Sequence, residues 1–168
     1  MDHNRQGGWM KARYDTYCGL NCGACAVLVA NERADEEWIK KAAEMEKCKP
    51  EDLRCMGCKT DVTAVFCADC GMRLCAREKG VEFCFECDSY PCKTISDFRS
   101  DDLPHHSVVF KNLKDIKEKG LEAWLAEQTT RWSCQTCGTR FTWYDENCKG
   151  CGTKLYNCKD EDKDLVGA

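Results

Sequence analysis

No stretch of this chain approaches the roughly 18 consecutive apolar residues of a membrane-spanning helix, so a helical span within it is excluded. Residues Met1 to Gly8 are polar and carry no apolar core of a secretory leader, which points to a cytoplasmic, reducing compartment. Familiar catalytic signatures are missing as well. There is no HExxH, no GxSxG, no phosphate-cradling loop ending in Gly-Lys-Ser/Thr and no dinucleotide fingerprint. Basic excess is also lacking, with 25 Lys+Arg against 29 Asp+Glu and a formal net charge of -4. A divalent ion held by four thiolates adds roughly -2, so four such sites would make the loaded protein more acidic still. Phosphate contacts need positive surface, so nucleic acid is not the expected partner. Lys111, Lys114, Lys117 and Lys119 form a local basic run that reads as the solvated face of a helix.

Cysteine is what the chain has in abundance: 17 of 168 residues. These inflate the hydrophobic fraction of 43%, so the apolar core is modest and something besides burial must stabilise the fold. In a reducing compartment cysteine clusters are more often metal ligands than disulfides, and an odd count suits disulfides badly. Twelve cysteines fall between Cys18 and Cys92, then none for 41 residues, then five from Cys134 to Cys158.

The second block gives the sharper signal. Cys134-Gln-Thr-Cys137-Gly and Cys148-Lys-Gly-Cys151-Gly are paired CxxC knuckles, each turning two thiolates toward one point. Gly138 and Gly152 supply the positive φ such a turn needs. Arg140 to Tyr144 has strand composition and Asp145-Glu146-Asn147 supplies turn residues, which predicts a zinc-ribbon β-hairpin over 131–158. A rubredoxin-like iron site uses similar knuckles at wider separation. Cys158, beside an acidic tail, is expected to be a free thiol.

The first block opens with Cys18, Cys22 and Cys25 as CxxxCxxC. Radical S-adenosylmethionine enzymes use this spacing, but Ala24 stands where they usually place an aromatic, and this chain cannot supply their barrel. Cys55-Met56-Gly57-Cys58 adds a knuckle. Phe66-Cys67-x-x-Cys70-x-x-x-x-Cys75 then repeats 17 residues on as Phe83-Cys84-x-x-Cys87-x-x-x-x-Cys92, predicting two similar loop-to-helix turns. The strings YCGLNCGAC, CMGC, CADCGMRLC and CFECDSYPC together resemble a small bacterial and archaeal cysteine-rich domain family of unknown function with a YCGLxCGxC opening. The resemblance covers roughly residues 14 to 99 and implies a cytosolic metal-binding domain with no reaction to transfer. It covers eleven of these cysteines and leaves Cys48 in doubt.

Twelve thiolates allow three four-coordinate sites. In chain order these are Cys18, Cys22, Cys25 with Cys48; Cys55, Cys58, Cys67, Cys70; and Cys75, Cys84, Cys87, Cys92. An interleaved alternative pairs Cys55 and Cys58 with Cys84 and Cys87. Without Cys48 one site has three cysteines and an open position, although closure by Cys48 or Cys92 is the expected outcome.

Elsewhere, Asp35 to Lys47 predicts a helix with Trp38, Ile39, Ala42 and Met45 on its buried stripe. Ser107 is the expected N-cap of another, with Val109, Leu113 and Ile116 inside, Gly120 as break, and Trp124 and Leu125 buried beyond it. His105 and His106 read as a solvent-exposed pair at the helix entry.

The expected architecture is therefore a small metal-stabilised α+β protein. A cysteine-rich domain (14–99) is followed by a helical connector (100–130), a packed strut, and then the ribbon (131–158). The leading functional reading is a protein-interaction module folded by about four structural Zn2+ ions, more a binding protein than an enzyme. The alternatives are an iron–sulfur redox accessory protein with [4Fe-4S] in the first domain, or a small metalloenzyme with an open metal position at Cys18, Cys22 and Cys25.

Overall fold

The computed structural model describes residues 11–166, and the polar stretch Met1 to Gly8 lies outside them. Among the described residues the protein is mostly helical: α1 (Ala26–Glu32), α2 (Glu36–Glu46), α3 (Val65–Ala68), α4 (Gly71–Lys79), α5 (Lys93–Arg99), α6 (Val109–Lys119), α7 (Leu121–Arg131) and α8 (Cys158–Val166), with short 3-10 turns between them. None is long and apolar enough to cross a membrane. No named strand occurs among these residues, so the expected β-hairpin is reduced to two isolated bridges, Ser133 with Arg140 and Asn147 with Lys154.

The helix signals in the sequence act locally as capping chemistry dictates. The Asp35 carboxylate accepts from the Trp38 amide at 3.0 Å and opens α2, with Glu36 and Glu37 at its positive end. Ile39, Ala42 and Ala43 are buried, whereas Met45 is 74% exposed. Met45 lies six residues beyond Ile39, about 240° around the helix, which puts it off the apolar stripe. Ser107 does not cap α6. Its hydroxyl donates to the Pro104 carbonyl at 2.8 Å, closing the preceding Pro104–His106 turn, and Val108 takes the N-cap position.

Helices α6 and α7 bury their apolar stripe in the main core. Val109, Leu113, Ile116 and Trp124 pack there with Leu20, Met72, Phe83 and Ile95 from the cysteine-rich part, while Leu125 is half-buried. The segment read as a strut thus serves as a wall of that core. Its closest approach is at Gly19, where φ is +89° and a Cβ would meet Leu113 Cγ at 2.9 Å. Asn112 on α6 donates to the Gly19 carbonyl at 2.9 Å, fixing the loop that carries Cys18. A separate small core joins Ala24 to Trp132, Phe141 and Leu155 around the second cysteine block.

Candidate metal centres

In the second block four sulfurs converge. Cys134, Cys137, Cys148 and Cys151 bring their Sγ atoms within 4.8 Å of one another. Cys134 to Cys151 is 3.7 Å and Cys137 to Cys148 is 3.5 Å. Two sulfurs on one tetrahedral zinc, with Zn–S about 2.3 Å, lie ~3.8 Å apart, so this group can hold a single ion. The knuckles have the backbone the glycines predict: φ is +74° at Gly138 and +76° at Gly152. Their amides close each turn onto the Cys134 and Cys148 carbonyls at 2.7 and 2.8 Å. The Thr139 hydroxyl, 3.2 Å from Cys137 Sγ, and the local backbone amide draw the Cys137 thiol down to about 6. Burial pushes Cys148 up.

The backbone between the knuckles is used elsewhere, which is why strand composition gives no strands. The Trp143 amide donates to the Ala24 carbonyl at 2.9 Å, and the Trp143 carbonyl accepts from the Cys158 amide at 2.9 Å. Arg140 Nε donates to the Gly23 carbonyl at 2.7 Å, and its Nη2 donates to the same oxygen. Another guanidinium nitrogen pairs with Glu32 at 2.8 Å.

The first block is arranged differently. Among the described residues no three of its cysteines bring their sulfurs within 4.8 Å of one another. Seven of them instead line one cavity of about 580 Å³: Cys18, Cys22, Cys25, Cys55, Cys58, Cys67 and Cys70. Cys75, Cys84, Cys87 and Cys92 line a second, smaller pocket, the grouping of the chain-order partition. Cys48 lies in neither wall and packs beside Ile39, Ala42 and Leu53. Cys92 belongs to the second pocket. Neither residue expected to close the Cys18, Cys22 and Cys25 site therefore lines the large cavity with them.

Local structure explains how the sulfurs are aimed. Cys25, Cys70 and Cys92 are the N-cap residues of α1, α4 and α5, next to the positive ends of those helices. Burial raises the thiols of Cys18, Cys22 and Cys25. The Thr16 hydroxyl and then the Leu20 amide at Cys18, the Cys58 amide at Cys22, and the Leu28 and Val27 amides at Cys25 oppose it. Burial and the neighbouring thiols Cys18 and Cys70 push Cys58 up to about 12, and burial with Cys18 beside it does the same for Cys84. Thiols this resistant to ionisation become thiolates when a bound cation replaces their protons. Cys87 is the exception. The Ser89 amide and the Lys79 ammonium, 3.1 Å from its Sγ, lower it.

The two repeats do not fold alike. Cys70 starts α4 and Cys75 sits inside that helix, whereas Cys87 ends a 3-10 turn and only Cys92 starts α5. In the first repeat the helix begins at Gly71, directly after Cys70. Pro91 delays it in the second, since proline disfavours helical backbone in the residue before it. A buried ion pair, Lys59 Nζ to Asp15 at 2.9 Å, fixes the Cys55–Cys58 knuckle to the segment leading into Cys18. Lys59 Nζ also lies 3.8 Å from the centre of the Phe83 ring. Composition gave no sign of this pair.

His105 and His106 are not the solvent-exposed pair the sequence suggested. Both line the large cavity, opposite in chain to the cysteines, and His106 is only 7% exposed. His106 stacks on Phe98 and its Nδ1 is 2.8 Å from Asp101. His105 stacks on Trp143 and its Nδ1 is 2.7 Å from the Tyr144 hydroxyl. Burial and the adjacent His106 push His105 down to about 3, so the ring is neutral. Cys158 is a free, buried thiol at the start of α8, raised to about 11 mainly by burial.

Residues 14–97 match the model of a family described as a protein of unknown function, DUF3795. No curated protein and no solved structure matches the chain.

Proposed function

The chain belongs to the DUF3795 family, and within it we propose a protein with two kinds of metal centre, one structural ion and a set of redox-active clusters. Cys134, Cys137, Cys148 and Cys151 hold one Zn2+ that fastens the second block, a ribbon in its ligand spacing. The eleven cysteines that line the two cavities hold iron–sulfur clusters, and the protein passes electrons to or from a protein partner.

One observation carries this reading. Sulfurs that share a single ion must sit about 3.8 Å apart, and only the ribbon set does so among the described residues. The others surround cavities at wider spacing, as ligands on different irons of one cluster must. The mostly apolar surroundings, the helix N-termini and the amides directed at sulfur suit an anionic cluster and tune its potential. An all-zinc interaction module accounts for the ribbon but leaves the wider spacing of the other eleven unexplained. Purification without oxygen tests the proposal. Broad visible absorption that bleaches on adding dithionite supports it, and a colourless protein with every cysteine-bound metal as zinc defeats it.

A further inference from the structure

The large cavity holds more than cysteine, and its cysteine count is uneven. Seven sulfurs supply one site of four and one of three, while the second pocket has a complete four of its own. Cys48 packs elsewhere. Resting on the cluster reading above, we propose that one iron of the three-cysteine site in the large cavity keeps an exchangeable position. The cavity then admits a small uncharged ring molecule whose donor atom fills that position.

The ligand class follows from the cavity wall. Glu46 is the one carboxylate lining it, and no lysine or arginine does, so phosphates and other polyanions find no counter-charge there. Its remaining surface is mostly aliphatic and aromatic, with six ring side chains. Phe98, His106, His105 and Trp143 form a continuous row of rings, with successive centroids 3.6, 4.1 and 4.2 Å apart. Neutral rings of this kind favour a flat molecule of low polarity. Both Nδ1 atoms are engaged, with Asp101 and Tyr144, which fixes the two imidazoles as part of the ring wall. His106, held by a carboxylate on that nitrogen, has the arrangement that fixes one tautomer. Phe66, Leu103 and Tyr144 line the same cavity yet are 53%, 48% and 40% exposed, so it opens to solvent through an apolar rim.

The test uses pyridine labelled with ¹⁵N, a neutral ring with one donor atom, added to the reduced, cluster-loaded protein. Pulsed paramagnetic resonance reads the nitrogen coupling and gives a dissociation constant. The expected result is a saturable ¹⁵N coupling, weakened about tenfold in Trp143→Leu. Leu103→Trp, a change at an exposed position that narrows the rim, should weaken it too, the dissociation constants being compared at equal iron content per chain. A normal cluster signal indifferent to pyridine overturns the open position while sparing the cluster reading. Equal binding in all three proteins places the ligand outside the cavity and also overturns it. No cluster signal in any preparation defeats both proposals together.

Discussion

Arg140 Nε lies 2.7 Å from the carbonyl oxygen of Gly23, and its Nη2 donates to the same atom, so the second cysteine block grips the turn between Cys22 and Cys25. The two blocks are 117 residues apart at this contact and share the small core around Ala24. An ordered second block therefore helps to hold the first cysteines in place.

Replacing Arg140 with Ala removes charge-assisted bonds to Gly23 and the pairing with Glu32. The expected cost is about 2 kcal/mol. Denaturant unfolding followed by tryptophan fluorescence should show it, together with faster loss of metal from the first block to a chelator. An unchanged rate of metal loss there would mean that the two blocks are not coupled through this residue.

Cys48→Ala is expected to leave the metal content per chain unchanged, because Cys48 packs against Ile39 and Leu53, away from both cysteine-lined cavities. Its effect on stability should stay below about 1 kcal/mol. Loss of one metal site in this variant, measured by elemental analysis, would restore Cys48 as a ligand.

Much of this arrangement was written in local spacing. The CxxC-Gly knuckles, the cap at Asp35 and the stripe Val109, Leu113, Ile116 are short-range patterns whose geometry depends on residues a few positions apart. The rest depends on distant partners. Strand composition at Arg140 to Tyr144 could not foretell that those backbone groups would pair with Ala24 and Cys158. The burial of His105 and His106 arises from rings at Phe98 and Trp143, on either side in sequence. Two identical cysteine spacings folded differently, and the second carries Pro91, which disfavours helical backbone in the residue before it.

Acid should destabilise the protein through His105. Folding lowers its pKa from an ordinary 6.5 to about 3, first through burial. The unfolded chain then binds the proton more readily, so stability is complete above 6.5 and declines as the pH falls below it. The loss approaches about 2 kcal/mol by pH 5. In His105→Phe the decline between pH 8 and 5 should shrink by that amount, and an unchanged slope would show that His105 is not the group responsible.

Lys79 donates to Cys87 Sγ at 3.1 Å in the second pocket. A hydrogen bond and a positive charge on a ligand sulfur favour the reduced cluster. Lys79→Met should lower the midpoint potential of that centre by some tens of millivolts while leaving iron content unchanged. A potential equal to wild type in a redox titration would remove Lys79 from the centre's surroundings.

The most direct test counts elements. Protein purified without oxygen is analysed for zinc, iron and acid-labile sulfide per chain, in wild type and in Cys137→Ser. About one zinc is expected, lost in the variant, beside iron and sulfide in equal amounts at about four of each per filled cluster. Zinc at about four per chain, with neither iron nor sulfide, would contradict the proposed function.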